Sequence, residues 1–63
     1  MSKTLAGEIA ERTLKVVNPG NRGLALNETL RRHGFRPEAQ PAGGLPAEKD
    51  GLVAYLVATY GAE

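Results

Sequence analysis

Apolar residues recur at helical spacing over residues 4–17, where Leu5, Ala6, Ile9, Ala10, Thr13, Val16 and Val17 share one face and Glu8, Glu11, Arg12 and Lys15 lie opposite. This period predicts an amphipathic helix over about 4–17, with Leu14 at the edge of its apolar face and Ser2 or Thr4 as its cap. Gly7 inside the first turns costs up to ~1 kcal/mol relative to Ala, so that end is expected to fray. Asn18-Pro19 closes the helix, because the residue before a proline is pushed out of the helical region. Pro19-Gly20 then suits the centre of a type II turn.

A second, shorter helix is expected over 28–33, inside the run Asn-Glu-Thr-Leu-Arg-Arg-His-Gly-Phe at 27–35. Asn27 is a good N-cap, Glu28 suits the positive end of the helix dipole, and Arg31, Arg32 and His33 suit the negative end. Gly34 takes the left-handed position that stops the helix, and Phe35 folds back onto Leu30. Leu24-Ala25-Leu26 reads two ways. A helix from Asn21 to His33 would point Leu24 away from Leu26 and Leu30, with Gly23 weakening its first turn; a short extended segment leading into the Asn27 cap removes that conflict and is preferred.

Residues 36–46 hold Pro37, Pro41, Gly43, Gly44 and Pro46, a composition that rules out a regular element and predicts a loop of about ten residues. Pro46 at the first helical position, with Glu48 and Asp50 in the first turn, then opens a third helix over about 47–60 that Gly61 ends. Leu52, Val53, Leu56, Val57 and Tyr60 form its core stripe, while Gly51, Ala54, Tyr55, Ala58 and Ala62 fall on the other side. The rival for this segment is a strand, since Asp50-Gly51 is a turn signal followed by β-branched and aromatic residues. The expected fold is mainly α: three short helices, about 4–17, 28–33 and 47–60, with a Pro/Gly-rich loop, in a single domain over 1–63. The alternative is an α+β, winged-helix-like fold with a C-terminal hairpin.

Size changes the picture. A chain of 63 residues buries only about 60% of the surface its unfolded form exposes, so its core is marginal. There is no cysteine, which excludes disulfides and thiolate metal sites, and one histidine makes a structural zinc site an unfavourable reading. Association with another chain is the staple that remains. Met1-Ser2-Lys3 leads into an amphipathic segment instead of an apolar run, and residues 51–62 are too short to span a bilayer as a helix. A soluble cytoplasmic protein with no membrane partner is expected, and its Ala-, Gly-, Arg- and Pro-rich composition is compatible with bacterial or phage origin. Net charge is +1, distributed as +1 over 1–17, +3 over 18–37 and −3 over 38–63.

Candidate chemistry is sparse. His33 stands where dipole complementation alone would put it, and Glu8 and Glu11 read as solvated partners of Arg12 and Lys15. Gly20-Asn-Arg-Gly23 lacks the Gly-Lys-Ser/Thr ending of a phosphate loop and reads as a turn. No enzymatic activity, catalytic residue, metal or cofactor is expected. Asp50-Gly-Leu-Val-Ala-Tyr-Leu resembles the terminal helix of c-type cytochromes, whose haem attachment needs cysteines this chain lacks. Arg22, Arg31, Arg32 and Arg36 are candidates for a small phosphate-binding patch, without the interleaved aromatics of a strong nucleic-acid signal.

Residues 11–35 resemble the opening of a winged helix-turn-helix domain: a first helix ending in the apolar pair Val16-Val17, a Gly-containing loop, a Leu24-x-Leu26 entry, and a second helix ending in Gly34-Phe35. In that family a recognition helix follows and enters the major groove, so the resemblance implies DNA or RNA binding and transcriptional regulation. Here the Pro/Gly loop intervenes, and under the strand reading residues 44–57 would stand where the wing does. The preferred expectation comes from the tail. A helix apolar on both sides needs cover on both, and Tyr55, Ala54, Ala58 and Ala62 would meet another chain, either a protein partner or a second copy. The chain is therefore expected to be a small regulatory or adaptor protein, an inhibitor or accessory subunit, that binds protein.

Overall fold

The computed structural model describes residues 1–61 and contains three helices, α1 (Lys3–Leu14), α2 (Pro19–Arg32) and α3 (Lys49–Tyr60). Among the described residues there is no strand, so the hairpin alternative for the C-terminal segment is not formed. The mainly helical reading holds, with several of its boundaries moved.

Helix α1 starts at Lys3, with the Ser2 hydroxyl accepting from the Leu5 N–H at 3.1 Å. It stops at Leu14, one turn short of the expected residue 17. Val16 and Val17 are β-branched and poor helix formers, and Asn18 ahead of Pro19 must be extended, at φ −82° and ψ 111°. Freed from the helix, Val17 is left 89% exposed.

The largest correction is α2. Pro19-Gly20 is not a type II turn, Leu24-Ala25-Leu26 is not extended, and Asn27 is not a cap; all lie inside one helix of 14 residues. Asn18 supplies the cap, its Oδ1 accepting from the Gly20 N–H at 3.0 Å, and Pro19 occupies the first helical position, where its fixed φ is pre-organised. Gly20-Asn-Arg-Gly23 is accordingly the opening of the helix and not a turn. The anticipated conflict is real, since Leu24 is 72% exposed on the outer face. One exposed Leu forgoes about 1.5–3 kcal/mol, whereas the continuous helix buries both Leu26 and Leu30. Glu28 therefore sits near the end of the helix and pairs with Arg32 at 2.9 Å, one turn on.

The C-terminal stop of α2 is as expected. His33 is the cap, Gly34 has φ +86°, the Gly34 N–H donates to the Arg31 carbonyl at 3.1 Å, and the Phe35 N–H donates to that of Leu30 at 2.9 Å. These two bonds define a Schellman motif, and they carry Phe35 onto the core cluster that contains Leu30.

Residues 33–48 form an irregular connection pinned at two places. Gln40 Nε2 donates to the Gly23 carbonyl at 2.9 Å and to Asn27 Oδ1 at 3.0 Å. The Glu38 N–H donates to the Tyr60 hydroxyl at 2.8 Å, and the Tyr60 ring meets Phe35 edge-on at 5.9 Å. Pro46 does not open α3, which begins at Lys49 after an extended Glu48. The chain first delivers Leu45 to the core and lays Pro46 against the site of Gly51, 3.2 Å from where a Cβ would stand, and only then turns into the helix.

Helix α1 packs against both α2 and α3, while α2 and α3 do not approach each other. The buried set is Met1, Ala6, Ile9, Ala10, Leu26, Leu30, Leu52 and Leu56, with Thr13 as its one polar member. Thr13 is tolerated because its hydroxyl donates to the Ile9 carbonyl at 2.9 Å. The Met1 amino group donates to the Tyr60 carbonyl at 3.2 Å, and Lys49 Nζ meets Glu11 Oε2 at 3.3 Å. Those two contacts fix α1 and α3 as antiparallel.

Candidate functional site

Helix α3 turns Leu52 and Leu56 fully inward and leaves Val53, Tyr55, Val57 and Tyr60 half-buried on the two flanks. Ala54 and Ala58 are exposed. Each residue advances about 100° around the axis, which sets Ala58 between Ala54 and Tyr55 on the outer side of the helix. Tyr55 lies on the flank away from Val53 and Val57 and packs against the core, with Ala54 and Ala58 on the outside of the helix between the two flanks. Ala62, the fourth member of the expected face, lies outside the described residues.

On the valine side the surface is concave. Val53, Ala54, Val57 and Ala58 floor an open, mainly apolar groove of about 480 Å³, and Lys3 and Asp50 complete its lining. Because α1 runs antiparallel to α3, Lys3 stands near the Ala58 end and Asp50 at the opposite end. Sequence reasoning assigned Val53 and Val57 to the core stripe and did not single out Lys3. The available signal was the pair of parallel rungs, Val53-Val57 beside Ala54-Ala58, each one helical turn apart. The Lys3 contribution depends on how α1 crosses α3, which no local pattern encodes.

Tyr55 has a different character. Its hydroxyl oxygen is shielded from solvent and has no hydrogen-bond partner among the described residues. Burial pushes the phenol above its ordinary value of 10.0, and the nearby Tyr60 and Glu38 act in the same direction. Thr59 works the other way, although it does not stand in hydrogen-bonding geometry to the phenol.

Arg22 stands apart from the other three arginines. Arg22 is half-buried, its Nε donating to the Val16 carbonyl at 2.9 Å, so it braces the α1–α2 turn. Arg31 and Arg32 lie at the far end of α2, about 14 Å further along the axis. Arg32 is paired with Glu28, both side chains about two-thirds exposed, and Arg31 and Arg36 are exposed nearby in sequence. His33 is exposed and caps α2 with its backbone. Glu11 pairs with Lys49 across the α1–α3 seam instead of with Arg12 or Lys15 on its own helix. Among the described residues no three His, Asp or Glu side chains cluster closely enough to share a metal ion, and no helix is long and apolar enough to cross a membrane.

Comparison with protein-family models, with curated proteins and with solved structures finds no match to this chain.

Proposed function

We propose that this chain is a small non-enzymatic protein, a cytoplasmic regulator or adaptor, that binds another protein chain through the outer side of α3. The observation that carries this reading is the groove floored by Val53, Ala54, Val57 and Ala58. It is apolar, open and charged only at its ends, and its two alanines let a partner backbone approach closely. A chain of 63 residues without cysteine has few other means of adding buried surface. The arginines support nucleic-acid binding less well, because Arg22 and Arg32 are engaged within the chain.

A photo-reactive benzophenone amino acid placed at Ala58 tests the reading in the producing cell. A discrete protein cross-link is expected from Ala58 and not from Arg12 on the exposed side of α1. Equal labelling from both positions, or none from either, overturns it. Nucleic-acid binding would instead show steep salt dependence and loss with Arg31→Ala and Arg36→Ala.

A further inference from the structure

The charges at the ends of the groove name its occupant. Lys3 and Asp50 both line it, at opposite ends, and among the described residues neither has an ion-pair partner within the chain. Eight residues of helix separate Asp50 from Ala58, about 12 Å, and Ala54 is midway between them. A two-fold axis through Ala54, perpendicular to α3, would lay two copies of α3 antiparallel. Each Asp50 would then face the Lys3 of the other copy, while valines and alanines meet along the centre. A patch carrying a cation at one end and an anion at the other is self-complementary under that operation, which is what an isologous two-fold interface requires. A parallel arrangement would set Lys3 against Lys3 and Asp50 against Asp50.

Resting on the reading of this groove as a protein-docking surface, we infer that its occupant is a second copy of the same chain, in an antiparallel α3–α3 dimer closed by two reciprocal Lys3–Asp50 ion pairs. Four charges placed on a rim around an apolar centre give direction and register, while the central contacts supply most of the affinity.

Sedimentation equilibrium on Lys3→Glu, Asp50→Lys and their mixture tests the arrangement. The wild type is expected to dimerise, and each single variant to dimerise roughly tenfold more weakly, because both rim pairs become like-charged. An equimolar mixture of the two variants is expected to recover wild-type association, since a Lys3→Glu chain against an Asp50→Lys chain restores opposite charges at both ends. The double variant Lys3→Glu/Asp50→Lys recovers it within a single chain. Circular dichroism of each variant confirms folding, and both positions are exposed in the monomer.

A wild type that stays monomeric at millimolar concentration overturns the dimer, as does an association whose single variants fail to complement each other. The cross-link from Ala58 separates this failure from that of the docking reading. A product at twice the chain mass supports the second copy. One at any other mass overturns the second copy and leaves the docking surface standing, and no product overturns both.

Discussion

The Tyr55 hydroxyl, shielded and without a hydrogen-bond partner among the described residues, costs the fold free energy, because a buried donor without an acceptor forgoes its hydration. Tyr55→Phe is expected to stabilise the protein by about 1 kcal/mol at neutral pH, read from denaturant unfolding. The pH dependence has a definite sign. The folded state holds the phenolic proton more tightly than the unfolded chain, so ionisation leaves stability untouched below 10.0 and lowers it as pH rises from there through the higher folded value. The Phe variant should lose less stability than wild type over that alkaline interval. Two glycines give a second contrast at this scale. At Gly34 φ is +86°, so Gly34→Ala forces a side chain into the left-handed region and should cost about 1–2 kcal/mol. Gly7 is inside α1 with open space where a Cβ would stand, and Gly7→Ala should instead add about 0.5–1 kcal/mol. Thermal unfolding of the two variants in parallel checks the opposite signs.

Among the elements, α2 and the connection 33–48 depend on each other. Gln40 is the clasp, bonded to the Gly23 carbonyl and to Asn27 Oδ1, and its side chain lies directly over the place a Cβ on Gly23 would occupy. Gly23 therefore weakens α2 in local propensity while admitting the group that pins the loop. Gln40→Ala should release residues 36–46 while leaving the helices in place. Hydrogen exchange and limited proteolysis within that stretch should accelerate, with the helical circular dichroism unchanged. Gly23→Ala should release the same stretch despite its better helix propensity, and an unchanged cleavage rate in both variants would show that Gln40 is no clasp. Asn27 belongs to this arrangement too. The residue expected to start a helix instead presents its side chain from the middle of one, as an acceptor for the loop.

At the level of the whole molecule, a single layer of side chains around α1 holds everything together. Stability of roughly 3–9 kcal/mol is expected for a domain of this size, from about 0.05–0.15 kcal/mol per residue. Leu56→Ala removes a fully buried side chain and typically costs about 2–5 kcal/mol, comparable to the whole. That variant should show a substantially reduced helical signal at 25 °C, whereas Leu24→Ala, on an exposed residue, should unfold within about 0.5 kcal/mol of wild type. Marginal stability is also the reason the proposed interface on α3 would be physically useful, since binding of the folded state draws the population away from the unfolded chain.

By itself the sequence determined the features set by neighbours along the chain. The apolar period of α1, the Gly34-Phe35 stop and the irregularity of the Pro/Gly stretch all follow from local sterics and spacing, and all three are present. The helical state of α3 was legible as well, from its acidic start and its length, although Pro46, the third reason for it, lies ahead of the helix and not at its first position. Tertiary structure decided matters where two local signals competed. Asn18-Pro19-Gly20 is a fair turn and a fair helix start, and burial of both Leu26 and Leu30 against α1 selects the helix start. The stripe Leu52, Val53, Leu56, Val57 and Tyr60 of helix α3 was legible at helical spacing and packs on the core, but only the tertiary structure also seated Tyr55 against the core and brought Lys3 to the groove. The physical reason is one of range: dihedral preference, capping and apolar spacing act within a few residues, whereas what stands beside a buried face is set by whichever helix arrives to cover it.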